Sequence, residues 1–241
     1  MKKTVSVILS LLMLLSFAAC GKEAEKTNPQ KTEAIYENTT YSKPEKTPLA
    51  NGSLTPEISW ELFDDGSLYV EGTGAMPDWA KIKDLAWRDR IHHIKSVYIG
   101  DGITRIGNYA FSYCQNLSSV YISETVTSIG NSAFIRCENL RAVRIPDSVT
   151  EIEAFAFAHC LSLESVNIPE SVTLLGDTAF GGCSKIGEIS LHKNITYVGE
   201  YCFAGWGENQ IINIACDESY IKDNWHENWD INCSASKHIS N

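Results

Sequence analysis

Apolar residues recur along this chain with a step of 23. Phe111, Phe134, Phe157, Phe180 and Phe203 keep the step, as do Val120, Val143, Val166, Ile189 and Ile212. So do Ile122, Ile145, Ile168, Leu191 and Ile214, and with them Cys114, Cys137, Cys160 and Cys183. A fixed period in the twenties marks a solenoid, in which each unit buries its apolar face only against its neighbours. Inside a unit the pattern changes character. Val-x-Ile alternates with period two and predicts a short strand with Val120 and Ile122 inward. Pro146 and Pro169 follow that strand and end it. Val126 to Ile129 is a second short extended piece, after which Gly130 allows a tight turn. Ala133, Phe134 and Cys137, spaced by one and four, fit a brief inward-facing helical turn. Upstream, Ile58–Leu62 and Leu68–Val70 alternate around Asp64-Asp65-Gly66 and predict a hairpin.

Written out by the period, the units read LSSVYISETVTSIGNSAFIRCEN from Leu117, LRAVRIPDSVTEIEAFAFAHCLS from Leu140 and LESVNIPESVTLLGDTAFGGCSK from Leu163. They resemble the BspA-like class of bacterial leucine-rich repeats, and the resemblance runs from Ile94 to Ile214. It implies an α/β leucine-rich repeat solenoid of short strands and short helical turns over residues 91–215. ISWELFDDGSLYVEGTGAMPDW, with Trp87 following, is similar to the hairpin that opens many such proteins, which implies an N-terminal β-hairpin cap over 54–90. IACDESYIKDNWHENWDIN is similar to the helical piece that closes them, which implies a C-terminal helical cap over 216–241. The pattern is broken in places. Glu153 replaces the turn glycine of its unit, and Leu175 and Val198 replace Ile. In the last unit Cys202 takes the Ala position, Trp206 the Cys position and Asn209 the Leu position. Terminal repeats must close an exposed core, so Trp206 is expected to act as a lid.

The start of the chain is a different material. Lys2 and Lys3 precede the apolar run Val5 to Phe17, then Ala18, Ala19 and Cys20. That is a secretory leader, too short to span a bilayer. LSFAAC resembles the lipobox of bacterial lipoproteins, although Phe17 stands where Leu is usual. The resemblance implies that Cys20 is lipidated and anchors an exported chain to the outer side of the cell membrane; the alternative is a cleaved soluble leader. Residues 21–53 hold five Lys, five Glu and three Pro with few apolar residues. Such a composition predicts a disordered tether, with an r.m.s. reach of about 30 Å.

Charge narrows the partners. The formal net charge is −10. An acidic body repels a phosphate backbone, so nucleic-acid binding is not expected. The laddered cysteines are expected to be buried structural thiols, because zinc sites show CxxC or HxxxH clusters and this chain has none. No metal, cofactor or catalytic residue is expected. A nucleophile elbow, a P-loop and HExxH are all missing from the sequence. His92 and His93 are adjacent, so on a strand they would face opposite ways; His159 is expected on the outer turn and His226 as packing between Trp225 and Trp229. Cys216 and Cys233 flank the terminal segment, and a disulfide between them would close a loop of about 17 residues, contributing ~3 kcal/mol in the entropic account. The alternative is two free thiols, with Cys202 as a leftover thiol or another partner.

The exposed ladders carry the functional signal. Tyr98, Tyr121, Arg144, Asn167, Ser190 and Asn213 lie between the inward residues of successive strands and are expected to face outward. Tyr98, Tyr121 and Arg144 would then form one patch of residue types enriched where proteins bind. A second ladder, Tyr109, Ser132, Phe155, Thr178 and Tyr201, with Tyr113, Arg136 and His159 beside it, is expected on the turn face. The competing account is that such ladders only stabilise neighbouring strands. The family resemblance implies binding of an extracellular protein, as in adhesion to host matrix or other cells. The alternative is a carbohydrate- or envelope-binding module in which Tyr98 and Tyr121 stack on sugars.

Overall fold

The computed structural model describes residues 43–240. Cys20, the leader and residues 21–42 lie outside the described residues. Strands are numbered in chain order. The first three form an antiparallel meander: β1 (Ala50–Ser53), β2 (Ile58–Leu62) and β3 (Ser67–Gly72). From β3 onward every pairing is parallel. On one face of the solenoid β3 pairs with β5 (Ser96–Ile99) and β5 with β7 (Ser119–Ile122). Beside them lie β9 (Ala142–Arg144) paired with β11 (Ser165–Asn167), then β13 (Glu188–Leu191) paired with β15 (Ile211–Ile214). The second face is one parallel sheet of β4 (Gly74–Ala75), β6 (Ile103–Ile106), β8 (Ser128–Ile129), β10 (Glu151–Ile152), β12 (Leu174–Leu175) and β14 (Tyr197–Val198). The register steps by 23 at every rung between repeats on both faces, as in Val97↔Val120 and Ile129↔Ile152.

Proline sets strand length. Gly100 and Ala215 each donate from the residue after their strand, to Val70 and Leu191 carbonyls at 2.9 and 2.8 Å. Pro146 and Pro169 hold the equivalent positions and have no N–H to give. Accordingly β9 and β11 are one residue shorter than β5 and β7. On the second face the exposed rung is stapled by hydroxyls: Thr127, Thr150, Thr173 and Thr196 each donate to the threonine carbonyl one coil earlier, at 3.0–3.3 Å.

The third side differs from the expected helical turn. It is built from paired tight turns with left-handed residues, not helix. Tyr109, Ser132, Phe155, Thr178 and Tyr201 all have φ between 55° and 59°. Tyr113, Arg136 and His159 repeat this four residues later at 58–60°, and Gly182 and Gly205 complete the row. An αL residue costs about 1–2 kcal/mol for a side chain with a Cβ. Here each turn is held by backbone bonds to the next coil, such as Tyr109 N–H to Asn131 O at 2.9 Å and Tyr113 N–H to Ile135 O at 2.8 Å.

The core is a set of columns. The phenylalanine rings stack with centroids 5.3 to 6.2 Å apart from Phe111 through Phe203. Trp87 closes the first end, stacked on Phe111 at 5.4 Å and 4°. At the other end Trp206 and Trp229 meet Phe203 edge-on at 5.1 and 6.2 Å. Trp206 is fully buried and behaves as the expected lid. Asn209 does not fill the leucine slot of its unit. It is exposed, and Gln210 turns inward, donating to the Cys183 and Ile186 carbonyls at 3.0 and 2.8 Å. A buried amide needs such partners, and the carbonyls of the preceding coil supply them.

Both ends of the fold extend past the expected boundaries. Residues 43–53 are part of the folded body, not tether: β1 pairs with β2, Lys43 bridges Glu61 and Glu71, and Lys46 pairs with Asp64. At the other end α1 (Glu218–Asn224) is capped by Asp217, whose carboxylate accepts from Tyr220 N–H at 2.8 Å. The coil then continues, with Asn228 and Asn232 carbonyls accepting from Tyr201 and Gly205. It ends in β16 (Ser236–Ile239), which pairs in parallel with β15. The terminal piece thus carries the expected helix and adds one more coil around it.

Candidate functional site

The strand face positions the candidate residues. Tyr98 and Tyr121 are opposite partners in the β5–β7 ladder. Their rings stack at 4.9 Å and 7°. Arg144 follows one coil on, at the end of β9, and its guanidinium donates to Glu124 at 2.5 Å. That bond, with the nearby negative charge, raises the Arg144 pKa further. Sequence reasoning missed Tyr69. It is the β3 partner of Tyr98, with ring centroids 5.3 Å apart. Burial raises the phenol pKa of both Tyr69 and Tyr98. The aromatic ladder is thus Tyr69–Tyr98–Tyr121, leading to Arg144; Tyr69 is buried beneath it, Tyr98 and Tyr121 are half-buried, and Arg144 is exposed. Tyr98 has a tyrosine on each face, so its edge and hydroxyl, not its ring face, point away from the stack.

Carboxylates border the strip. Asp101, Glu124, Asp147 and Glu170 repeat with the 23-residue step two or three residues beyond the strand ends, and all are exposed. Together with Glu71 beside Tyr69 they make the strand-face rim anionic, offset by Arg144 and by Lys43, which pairs with Glu71.

The turn face is less uniform than expected. Phe155 is exposed at 40 %, whereas Ser132 on the same ladder is buried at 3 %. His159 is exposed, as expected, and the Arg136 guanidinium lies 5.8 Å from the centre of the Tyr113 ring. His92 and His93 sit in a turn, not on a strand. His93 Nε2 meets the Phe63 carbonyl at 3.2 Å.

The thiols divide into two groups. Cys137, Cys160 and Cys183 are fully buried, and each donates to a phenylalanine carbonyl 26 residues earlier, at 3.1–3.3 Å. Burial pushes Cys114 and Cys183 up to about 12, so neither is a nucleophile near neutral pH. Cys216 and Cys233 are half-buried free thiols, and the disulfide considered between them is not formed. The parallel pairing explains this. Cys216 lies beyond the C-terminal end of β15 and Cys233 ahead of the N-terminal end of β16. A strand length of ~10 Å separates those ends, whereas a disulfide needs Cα atoms within about 7 Å.

Repeating parallel strands on two faces and a stacked phenylalanine column define a leucine-rich repeat solenoid. The repeat signature of the BspA type leucine rich repeat region matches residues 104–232 in six copies. That is more than half of the chain, and the chain belongs to this family. Among solved structures it is similar to a leucine-rich repeat protein of T. pallidum, with 20 % identity, a TM-score of 0.51, and 68 % of this chain and 81 % of that one covered. A leucine-rich repeat protein from Bacteroides ovatus is 26 % identical with a TM-score of 0.48, covering 68 % of this chain and 41 % of that one. A leucine rich cell surface protein from Faecalibacterium prausnitzii is 16 % identical with a TM-score of 0.34, covering 71 % and 72 %. No curated protein matches the chain.

Proposed function

We propose that this is a lipid-anchored surface protein whose solenoid binds a protein outside the cell, in an adhesive rather than catalytic role. The observation that carries the reading is the stacked pair Tyr98–Tyr121 ending at Arg144, backed from below by the buried Tyr69. Tyrosine and arginine supply large contact area with a polar tip and are enriched among residues that dominate binding energy. The leader and LSFAAC at Cys20 support export and lipidation. The ring stacking also bears on the glycan alternative. Sugars pack on an open aromatic face, and both faces of Tyr98 are taken by neighbouring tyrosines. Edges and hydroxyls suit backbone and side-chain partners of a polypeptide better. A fragment from Lys43 to Asn241 tested in parallel on a panel of matrix proteins and on a glycan array decides between them. Selective binding on the protein panel supports the reading. Binding confined to glycans transfers the function to the alternative.

A further inference from the structure

The charge of the folded body is unevenly placed. Residues 81–95 hold five Lys and Arg against two Asp, while the rest of 43–240 holds ten Lys and Arg against twenty-four Asp and Glu. This segment is the turn of the first coil. It consists of two short 3₁₀ turns, Ile82–Asp84 and Arg88–Arg90, held by Leu85 and Trp87, which point into the core. With the apolar residues inward, the cations are forced out: Lys81, Lys83, Arg88, Arg90 and Lys95 are all exposed. Arg88 has one contact with Asp89, at 3.7 Å. The other four have no ion-pair partner among the described residues. A protein that pairs most of its other cations has left these open.

The segment sits at the end of the solenoid where the described chain begins. Lys95 N–H donates to Gly66 O at 2.8 Å, and Trp87 meets Trp60 edge-on at 5.8 Å, so 81–95 packs on the β2–β3 hairpin. Lys43 and Lys46 bind the same hairpin through Glu61, Glu71 and Asp64. We propose that the basic turn at 81–95 is a contact surface for an anionic phospholipid membrane. It would dock the entry end of the solenoid on the headgroups, while the acidic remainder is repelled and held upright. Basic residues near an anionic surface each add about fivefold to partitioning. The attraction acts within a Debye length, about 10 Å at 0.1 M salt, so only a cluster lying against the membrane gains from it. The proposal rests on the anchored reading only for the direction from which the membrane comes.

The test uses residues 43–241, which contain the whole core from Ile58 to Ala235 and lack Cys20. Sedimentation is measured with vesicles of phosphatidylglycerol in phosphatidylcholine and with phosphatidylcholine alone. Binding is expected to the anionic vesicles only, and to vanish at high salt. Lys81→Gln with Lys83→Gln should weaken it by roughly twenty-fivefold. The matched variant Lys185→Gln with Lys193→Gln, which removes the same charge from two exposed positions several coils away, should change it less than about threefold. Equal losses in the two variants, or no preference of the parent fragment for anionic vesicles, overturn the proposal. Thermal unfolding of both variants checks that they fold. If the lysine pair does not, Arg90→Gln with Lys95→Gln replaces it. Because Cys20 is absent, failure here leaves the lipid anchor untouched, and release of a Cys20→Ser protein from cells would leave this surface untouched.

Discussion

The indole N–H of Trp206 donates to the carbonyl of Phe180 at 2.9 Å. Cys183, one repeat earlier, donates its thiol to Phe157 at 3.1 Å, and Cys160 and Cys137 do the same further back. The tryptophan therefore stands in the cysteine slot and keeps its hydrogen bond while adding the bulk needed to cover the last coil. Trp206→Ala should remove both and cost about 3–5 kcal/mol. In a chain of nearest-neighbour coils the loss should appear as early unfolding of the C-terminal coils. Hydrogen exchange, with protection lost first in β15 and β16, checks this.

Glu153 breaks the repeat for a readable reason. Its carboxylate crosses a whole coil to accept from Arg105 at 2.9 Å, and it also accepts from Asn131 N–H at 3.1 Å. Gly130 lies in the coil between, where a Cβ would fall 2.7 Å from Asn108 Oδ1 and from the Ile106 carbonyl. Glu153→Gly restores the repeat's own residue yet should destabilise by about 1 kcal/mol. Gly130→Ala should be worse, because the backbone carbonyl cannot move aside. Denaturant midpoints of the two variants test the order.

The buried thiols make a prediction about pH. Burial raises Cys114 and Cys183 from about 9 in the unfolded chain to about 12 in the fold. The folded state then holds protons that the unfolded state has lost, so the thiols' contribution is intact below pH 9 and disappears as pH climbs toward 12. Alkaline unfolding should begin above about pH 9 and shift upward in Cys114→Ala with Cys183→Ala, measured against each protein's own stability at pH 7. In the same protein Cys216 and Cys233 should react with a thiol reagent before the column does, and reductant should leave the mass unchanged.

The repeating part of this architecture was legible because period is a one-dimensional signal. Phe134, Val143 and Cys160 each show their partners by position alone. What escaped is what the period does not encode. Tyr69 joins the aromatic strip only because a hairpin strand continues into the parallel ladder, and its own sequence neighbourhood is that of the hairpin. Gln210 turns inward in place of Asn209 because its amide finds the Cys183 and Ile186 carbonyls, which the period does not reveal. The spacing of Cys216 and Cys233 measures a loop length, whereas the parallel register of β16 decides their separation. Residues 50–53 look like the tether in composition, and pair with β2 because an open sheet edge is there to receive them.

The strand-face strip makes the last prediction. Tyr121 and Arg144 lie outside the core, and Arg144 is held only by an ion pair with Glu124 whose side chains are 46 % and 55 % exposed. Exposed pairs contribute little to folding, so Tyr121→Ala with Arg144→Ala should melt close to the parent. If these two residues anchor the partner found on the protein panel, the double variant should lose about 2 kcal/mol of binding, roughly thirtyfold in Kd. The rim of Asp101, Glu124, Asp147 and Glu170 should steer a cationic partner toward the face, so association should slow as salt rises while dissociation changes little. Titration of parent and double variant at two ionic strengths separates the effects. A folded double variant with unchanged affinity would move the site to the turn face, where Phe155 is exposed and Arg136 stands beside Tyr113.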